Sequence, residues 1–167
     1  MDMKTKEITR MALLTAIALT IFMVELQLPG LSPVPGIKLG LSNIVTVWAV
    51  FVMGPKKGAM ILAARVFLGA VFSGQMMTLL YSAGGGLLAW LSMVALSKLL
   101  TREQIWLCSP VAAVFHNIGQ LTVAGLVLGS WAVMAYLPYL LLAGIAAGLF
   151  TGLCAQFLIG RLDKLRA

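Results

Sequence analysis

Six long apolar runs, separated by short segments that carry nearly all the basic residues, dominate this 167-residue chain. A bilayer core about 30 Å thick needs roughly 20 helical residues to cross it. Charged residues make up 10% of the chain, whereas a soluble surface takes about a quarter. Mean hydropathy is +1.03. The pattern predicts an all-α integral membrane protein: one transmembrane domain over residues 1–167, with helices at about 11–28, 39–53, 59–72, 79–100, 105–128 and 132–159.

The first run follows Lys4, Lys6 and Arg10. It is too long for the apolar core of a secretory signal, lacks a small-residue cleavage site, and is followed by further spans. The breaks between runs are chemically plain. Pro29, Gly30, Pro33, Pro35 and Gly36 prevent a continuous helix, and Gly54-Pro55-Lys56-Lys57-Gly58 reads as a sharp turn. Ser73 to Thr78 and Lys98 to Gln104 are polar links, and Gly129-Ser130 ends the fifth run. Gly84-Gly85-Gly86 reads as a flexible triplet near the start of the fourth run, and Pro138 lies near the start of the sixth.

Basic residues orient such a protein, because Lys and Arg collect in cytoplasmic loops. With the N-terminus inside, the cytoplasmic segments hold Lys4, Lys6, Arg10, Lys56, Lys57, Lys98, Arg102, Arg161, Lys164 and Arg166. Lys38 alone falls on the outer side, and Arg65 lies within a span. Both termini are therefore expected in the cytoplasm of a multi-pass cell-membrane protein. The same placement explains the net charge of +7 without nucleic acid. Cys108 and Cys154 sit in or beside apolar spans with no C-x-x-C pair or histidine partner, so packing is their expected role.

An ionisable group inside a span costs about 2.5–3.5 kcal/mol on insertion scales and is a functional candidate for that reason. Glu25 lies in the outer part of helix 1, Arg65 near the middle of helix 3, and His116 within helix 5. Gln120 is one turn from His116 on the same face, with Gly119 beside it and Asn117 at the edge of that face. Asn43 opens helix 2, Gln27 ends helix 1, and Ser73, Gln75 and Ser82 add neutral polar groups on the outer side. The simple picture is a polar chamber opening outward. Arg65 would hold a carboxylate or phosphate bidentately, His116 and Gln120 would orient the ligand, and Asn43 and Glu25 would line the mouth, with Asn117 a further ligand-binding residue and Lys38 as a second cation. The alternative is structural, with Arg65 and Glu25 as an ion pair and His116 with Gln120 bonding helices together.

Ala12, Ala16 and the adjacent Ala18 form a small-residue face on helix 1, and Gly144, Gly148 and Gly152 repeat that spacing on helix 6. Small residues let helices approach closely in lipid. No G-x-x-x-x-G-K-[ST] loop is present, so the chain has no phosphate cradle for ATP. Asp2 and Asp163 are the only aspartates, whereas metal-assisted diphosphate chemistry needs clustered carboxylates. His116 has no Ser or Cys partner at helical spacing. The chain is expected to be no enzyme, with no cofactor and no metal.

Ala12-Leu-Leu-Thr-Ala16, the Gly54-Pro55-Lys56-Lys57-Gly58 turn and Phe72-Ser73-Gly74 resemble the substrate-binding S components of energy-coupling factor (ECF) transporters. Lys38-Leu-Gly-Leu-Ser-Asn43, Arg65-Val-Phe-Leu-Gly69 and His116-Asn-Ile-Gly-Gln120 are similar to the Gx transporter family, also described as heptaprenyl diphosphate synthase component I. The similarity covers nearly the whole chain. It implies a six-helix S-component bundle with an outward-facing site capped by the loop after helix 1. It also implies a transmembrane coupling subunit docked on Ala12 and Ala16, and two ATPase subunits to drive uptake. The substrate class it suggests is a small anionic or amphipathic organic molecule, an isoprenoid or quinone precursor. The alternative it leaves open is a non-catalytic membrane subunit of a heptaprenyl diphosphate synthase or of a quinone-linked redox assembly.

Overall fold

A computed structural model describes residues 3–27 and 40–164. Six α-helices account for most of them: α1 (Met3–Gln27), α2 (Asn43–Met53), α3 (Pro55–Ser73), α4 (Met76–Leu96), α5 (Ile105–Leu128) and α6 (Leu137–Lys164). Short 3-10 helices at Arg102–Gln104 and Trp131–Tyr136 lead into α5 and α6. No strand occurs among the described residues. Helices over Lys4–Gln27, Met76–Leu96, Ile105–Leu128 and Trp131–Arg161 are long and apolar enough to cross a membrane. This is an all-α membrane protein.

The other two helices are different. The 11 residues of α2 extend only about 16 Å at 1.5 Å per residue, while α3 carries Lys56, Lys57 and Arg65. Their position explains both departures. α2 contacts every other helix of the bundle, and Val47 and Ala49 have no exposed surface. A helix enclosed on all sides is apolar all round, and the α2 sequence NIVTVWAVFVM is so after its first residue apart from Thr46. α3 packs on α1, α2 and α4, while α5 lies between α4 and α6. Phe67, Val71, Leu80, Leu87, Leu142, Phe150 and Phe157 all face outward. An apolar exterior on that scale belongs in lipid.

Cross-helix bonds bring the basic ends together. Lys57 pairs with Glu7 at 2.5 Å, Arg10 lies 5.5 Å over the Trp48 ring, and Trp90 Nε1 donates to Pro55 O at 3.1 Å. Gln156 ties the end of α6 to the start of α5, donating to Glu103 O and accepting from Trp106 N. The main apolar core, including Val50, Ile61, Met93, Ile105 and Ile159, lies beneath this end. A second cluster of Tyr81, Leu121, Ala124, Val133 and Leu140 packs at the other.

Burial gains little between helices in lipid, so close backbone packing and hydrogen bonds take over. α4 and α5 touch backbone to backbone: a Cβ on Gly119 would stand 2.6 Å from Gly84 O and 2.9 Å from Gly85 Cα. Gly84-Gly85-Gly86 is therefore a rigid helical contact, and the expectation of a flexible triplet is corrected. Gly144, Gly148 and Gly152 similarly bring α6 onto Asn117, Pro110 and the Trp106 carbonyl of α5.

Several expected boundaries move for identifiable reasons. α1 starts at Met3 rather than 11, because its polar first turns, including Lys4 and Lys6, are good helix formers. α2 starts at Asn43 rather than 39, after a turn over Leu41 and Ser42. The expected five-residue turn shrinks to Gly54, which takes φ 94°. Pro55 then sits at the first position of α3, where its missing N–H costs nothing, so α3 starts at 55 and not 59. α4 runs Met76–Leu96 rather than 79–100, following a left-handed Gly74 that closes α3. α5 has the expected bounds of 105–128. Where a helix from 132 is expected, a 3-10 turn stands first, and α6 runs 137–164. The 29–38 loop lies outside the described residues.

A buried charged cluster as the candidate ligand site

The short stretch Gly40-Leu41-Ser42-Asn43 at the head of α2 is held from both sides. Its first two N–H groups have no carbonyl one turn back to bond, as at any helix start. Glu25, near the end of α1, accepts both: Gly40 N–H at 2.6 Å and Leu41 N–H at 3.0 Å. A carboxylate here also opposes the positive end of the helix dipole. From α3, Arg65 Nη1 donates to Ser42 Oγ at 2.6 Å and Nη2 to Asn43 Oδ1 at 3.3 Å. Glu25 is 6% exposed and Arg65 2%. Two ionisable side chains thus grip one turn, Glu25 through its backbone N–H groups and Arg65 through the Ser42 and Asn43 side chains.

α5 closes the cluster from a third direction. Gly40 adopts φ 78°, and a Cβ there would stand 2.8 Å from Asn43 Nδ2 and 3.1 Å from His116 Nε2. Only glycine allows both the fold of this turn and the approach of the imidazole. His116 Nε2 lies 2.8 Å from Gln120 Nε2. With the amide donating, the ring proton resides on Nδ1, which abuts Gly85 of α4.

Four polar side-chain atoms around this region are buried without a hydrogen-bond partner among the described residues: Asn43 Nδ2, Arg65 Nε, His116 Nδ1 and Asn117 Oδ1. Buried polar atoms in native proteins are nearly always satisfied. Beside Asn43 is a cavity of about 10 Å³ lined by Gly40, Leu41, Asn43, Ser109, Ala113, Ala147, Gly148 and Thr151. That volume holds about one water.

Glu25, Asn43, Arg65, His116 and Gln120, chosen from sequence, come together here. Asn117 does not join them: its Nδ2 donates to Leu140 O at 2.7 Å, against Gly144 of α6. The 100° step from His116 turns it to the neighbouring helix, apart from the other residues expected to bind the ligand. Gln27 is exposed at the end of α1, and Ser73 and Gln75 lie at the α3–α4 corner. Lys38 lies outside the described residues. Ala12 and Ala16 are exposed on α1, whereas Ala18 is buried. Sequence reasoning missed Ser42, which has no exposed surface and makes the shorter bond to Arg65. Its place next to Asn43 was the available signal. It also missed the Ser109–Thr151 pair at 2.7 Å across α5 and α6.

A family model described as heptaprenyl diphosphate synthase component I matches residues 14–158. The chain belongs to this family. The component I match runs from α1 into α6 and takes in all five clustered side chains, along with Ala16. Lys6, Arg10 and Ala12 precede it. Neither the curated proteins nor the solved structures contain a match to this chain.

Proposed function

We propose that this chain is the substrate-binding membrane subunit, or S component, of an ECF-type uptake transporter. It takes a small anionic or amphipathic organic molecule from outside, of the isoprenoid or quinone-precursor class. The observation that carries the reading is Arg65: a buried guanidinium whose side-chain bonds go to Ser42 and Asn43, with Nε unpartnered and the Glu25 carboxylate close enough to act on it electrostatically. A fork of N–H donors in that setting suits a carboxylate or phosphate. Gln120 and His116 lie close by to orient it. On binding, the ligand's anionic group takes the place of Ser42 and Asn43 on the guanidinium, so that ligand entry and the set of the α2 head are linked. The Arg65→Ala variant is expected to lose ligand binding while remaining folded in detergent. Binding as tight as the parent's would remove the anchor.

The topology belongs to the same reading. All six helices cross or enter the cell membrane, the basic end faces the cytoplasm, and both termini lie there. An impermeant thiol reagent on intact cells should label a cysteine placed at Gly129 and spare one at Lys98, in a background lacking Cys108 and Cys154. The reverse pattern would overturn the orientation. Ala12 and Ala16, exposed on α1, serve a transmembrane coupling subunit that works with two ATPases. The chain itself is no enzyme in this reading.

A second reading has the family description in its favour: a non-catalytic membrane subunit of a heptaprenyl diphosphate synthase or a quinone-linked redox assembly. Mild-detergent pull-down of the tagged chain separates the two. A coupling subunit recovered with two ATPases supports uptake, and a soluble prenyltransferase without any ATPase supports the synthase. Bulky residues at Ala12 and Ala16 should abolish uptake and leave prenyl-chain synthesis intact.

A further inference from the structure

The basic end of the bundle contains a second concavity, remote from the Arg65 cluster. It has a volume of about 410 Å³ and is lined by Lys6, Glu7 and Arg10 of α1, Val52 and Met53 at the end of α2, and Lys57 of α3. That is within the roughly 300–1,000 Å³ typical of small-molecule sites. Three cations face a single carboxylate there, and Glu7 is already paired with Lys57. Arg10 is not loose: its guanidinium lies over the face of the buried Trp48 ring. The cation–π contact holds the guanidinium against the ring and leaves N–H groups available for an oxyanion.

The depth of the site says what kind of anion it would meet. The apolar run of α1 begins at Met11, directly after Arg10, and α2 ends at Met53. The three cations therefore stand where the apolar bundle meets water, the level of lipid headgroups. Below them the wall turns apolar, first with Val52 and Met53. Met60, one turn along α3 from Lys57, and Leu13 on α1 are both exposed. A phosphate group at the cations with alkyl chains running down this surface satisfies both halves.

We propose that this pocket binds the headgroup phosphate of an anionic phospholipid, held by Arg10 with Lys6 and Lys57. The headgroup site uses none of the clustered residues. Lys56 is a built-in control. It is exposed, adjacent to Lys57 in sequence, and does not line the pocket.

The test uses the full-length chain in nanodiscs or mild detergent, with phosphatidylglycerol as probe and phosphatidylcholine as reference, read by native mass spectrometry and thermal shift. Phosphatidylglycerol should give retained single-lipid adducts and a saturable rise in melting temperature, and phosphatidylcholine neither. Lys6→Gln and Arg10→Gln should each weaken phosphatidylglycerol binding roughly fivefold, and Lys56→Gln should leave it unchanged. Equal retention of the two lipids would overturn the proposal. So would a loss with Lys56→Gln equal to that with Arg10→Gln, which would mean diffuse surface charge. Stabilisation by millimolar inorganic phosphate that Arg10→Gln abolishes would make it a free-phosphate site. If Arg10→Gln leaves lipid binding unchanged but strips a protein partner in the pull-down, the pocket is a protein interface instead.

Discussion

Replacing Gly119 by alanine isolates the contact on which the candidate site rests. The new Cβ would lie 2.6 Å from Gly84 O, 2.9 Å from Gly84 C and 2.9 Å from Gly85 Cα. All three are backbone atoms of α4, so no rotamer change relieves the overlap. α4 and α5 must part by roughly 1 Å to regain ordinary contact. Overpacking of this kind costs about 1–3 kcal/mol, and a rigid neighbour places it at the upper end. Alanine returns about 0.5–1 kcal/mol through helix propensity, which leaves a net loss of about 2 kcal/mol. For a chain of this size that is a fall of about 4–8 °C in Tm. Gly160 provides the reference, since it is helical and exposed, and a Cβ there meets nothing within 4 Å. Gly160→Ala keeps the propensity gain without the overlap and should melt at or slightly above the parent temperature. The assay is thermal unfolding in mild detergent with a thiol-reactive fluorophore, in a Cys154→Ala background. Cys108 has no exposed surface and reports the opening of α5. Equal melting temperatures for the two alanine variants would refute the backbone contact and with it the rigid seat of His116.

Glu25→Gln keeps one acceptor oxygen for two backbone donors and turns an amide N–H₂ toward the other, so about 1.5–3 kcal/mol should be lost. Hydrogen exchange at Gly40 and Leu41 should rise in step, and unchanged exchange would contradict the clasp. Ser42→Ala removes the shorter bond of a buried guanidinium and should cost a similar amount in thermal unfolding, while Thr20→Ala on exposed α1 should be near neutral. Asn117→Ala should destabilise by about 1 kcal/mol through the lost bond to Leu140 O and leave ligand binding intact, which separates it from Arg65. Glu7→Gln breaks a solvent-exposed ion pair and should change stability by less than about 1 kcal/mol. A larger fall in Tm would mean that the pair is more than a surface contact.

Much of the membrane architecture was legible along the chain, because the requirement for about 20 apolar residues per crossing is a one-dimensional signal. α5 is the clearest example, running between the Lys98–Gln104 break and Gly129 that the sequence marks. Glu25, Arg65 and His116 were equally visible, since an ionisable side chain within an apolar run is costly if the run spans a membrane. α2 and α3 were harder to read. α2 is shorter than a bilayer because it is enclosed by all the other helices, and enclosure depends on neighbours far away in sequence. The Gly54–Gly58 segment has turn-forming residues throughout, yet Pro55 at a helix start and Gly58 against Val50 favour helix once α2 is beside it.

By itself the sequence determined the class of the protein and the identity of its unusual polar residues, because both follow from local transfer free energy. Only the tertiary structure decided what those residues hold. Glu25 and Arg65 lie 40 positions apart and meet at the Gly40–Asn43 turn, one on its backbone N–H groups and the other on its side chains, while His116 arrives from a third helix through a glycine crossing. Asn117, one residue on, faces away. Such partnerships depend on helix rotation and on separations of a few ångströms between backbones. Hydrophobic periodicity carries neither quantity in a chain whose helices are apolar on nearly every side.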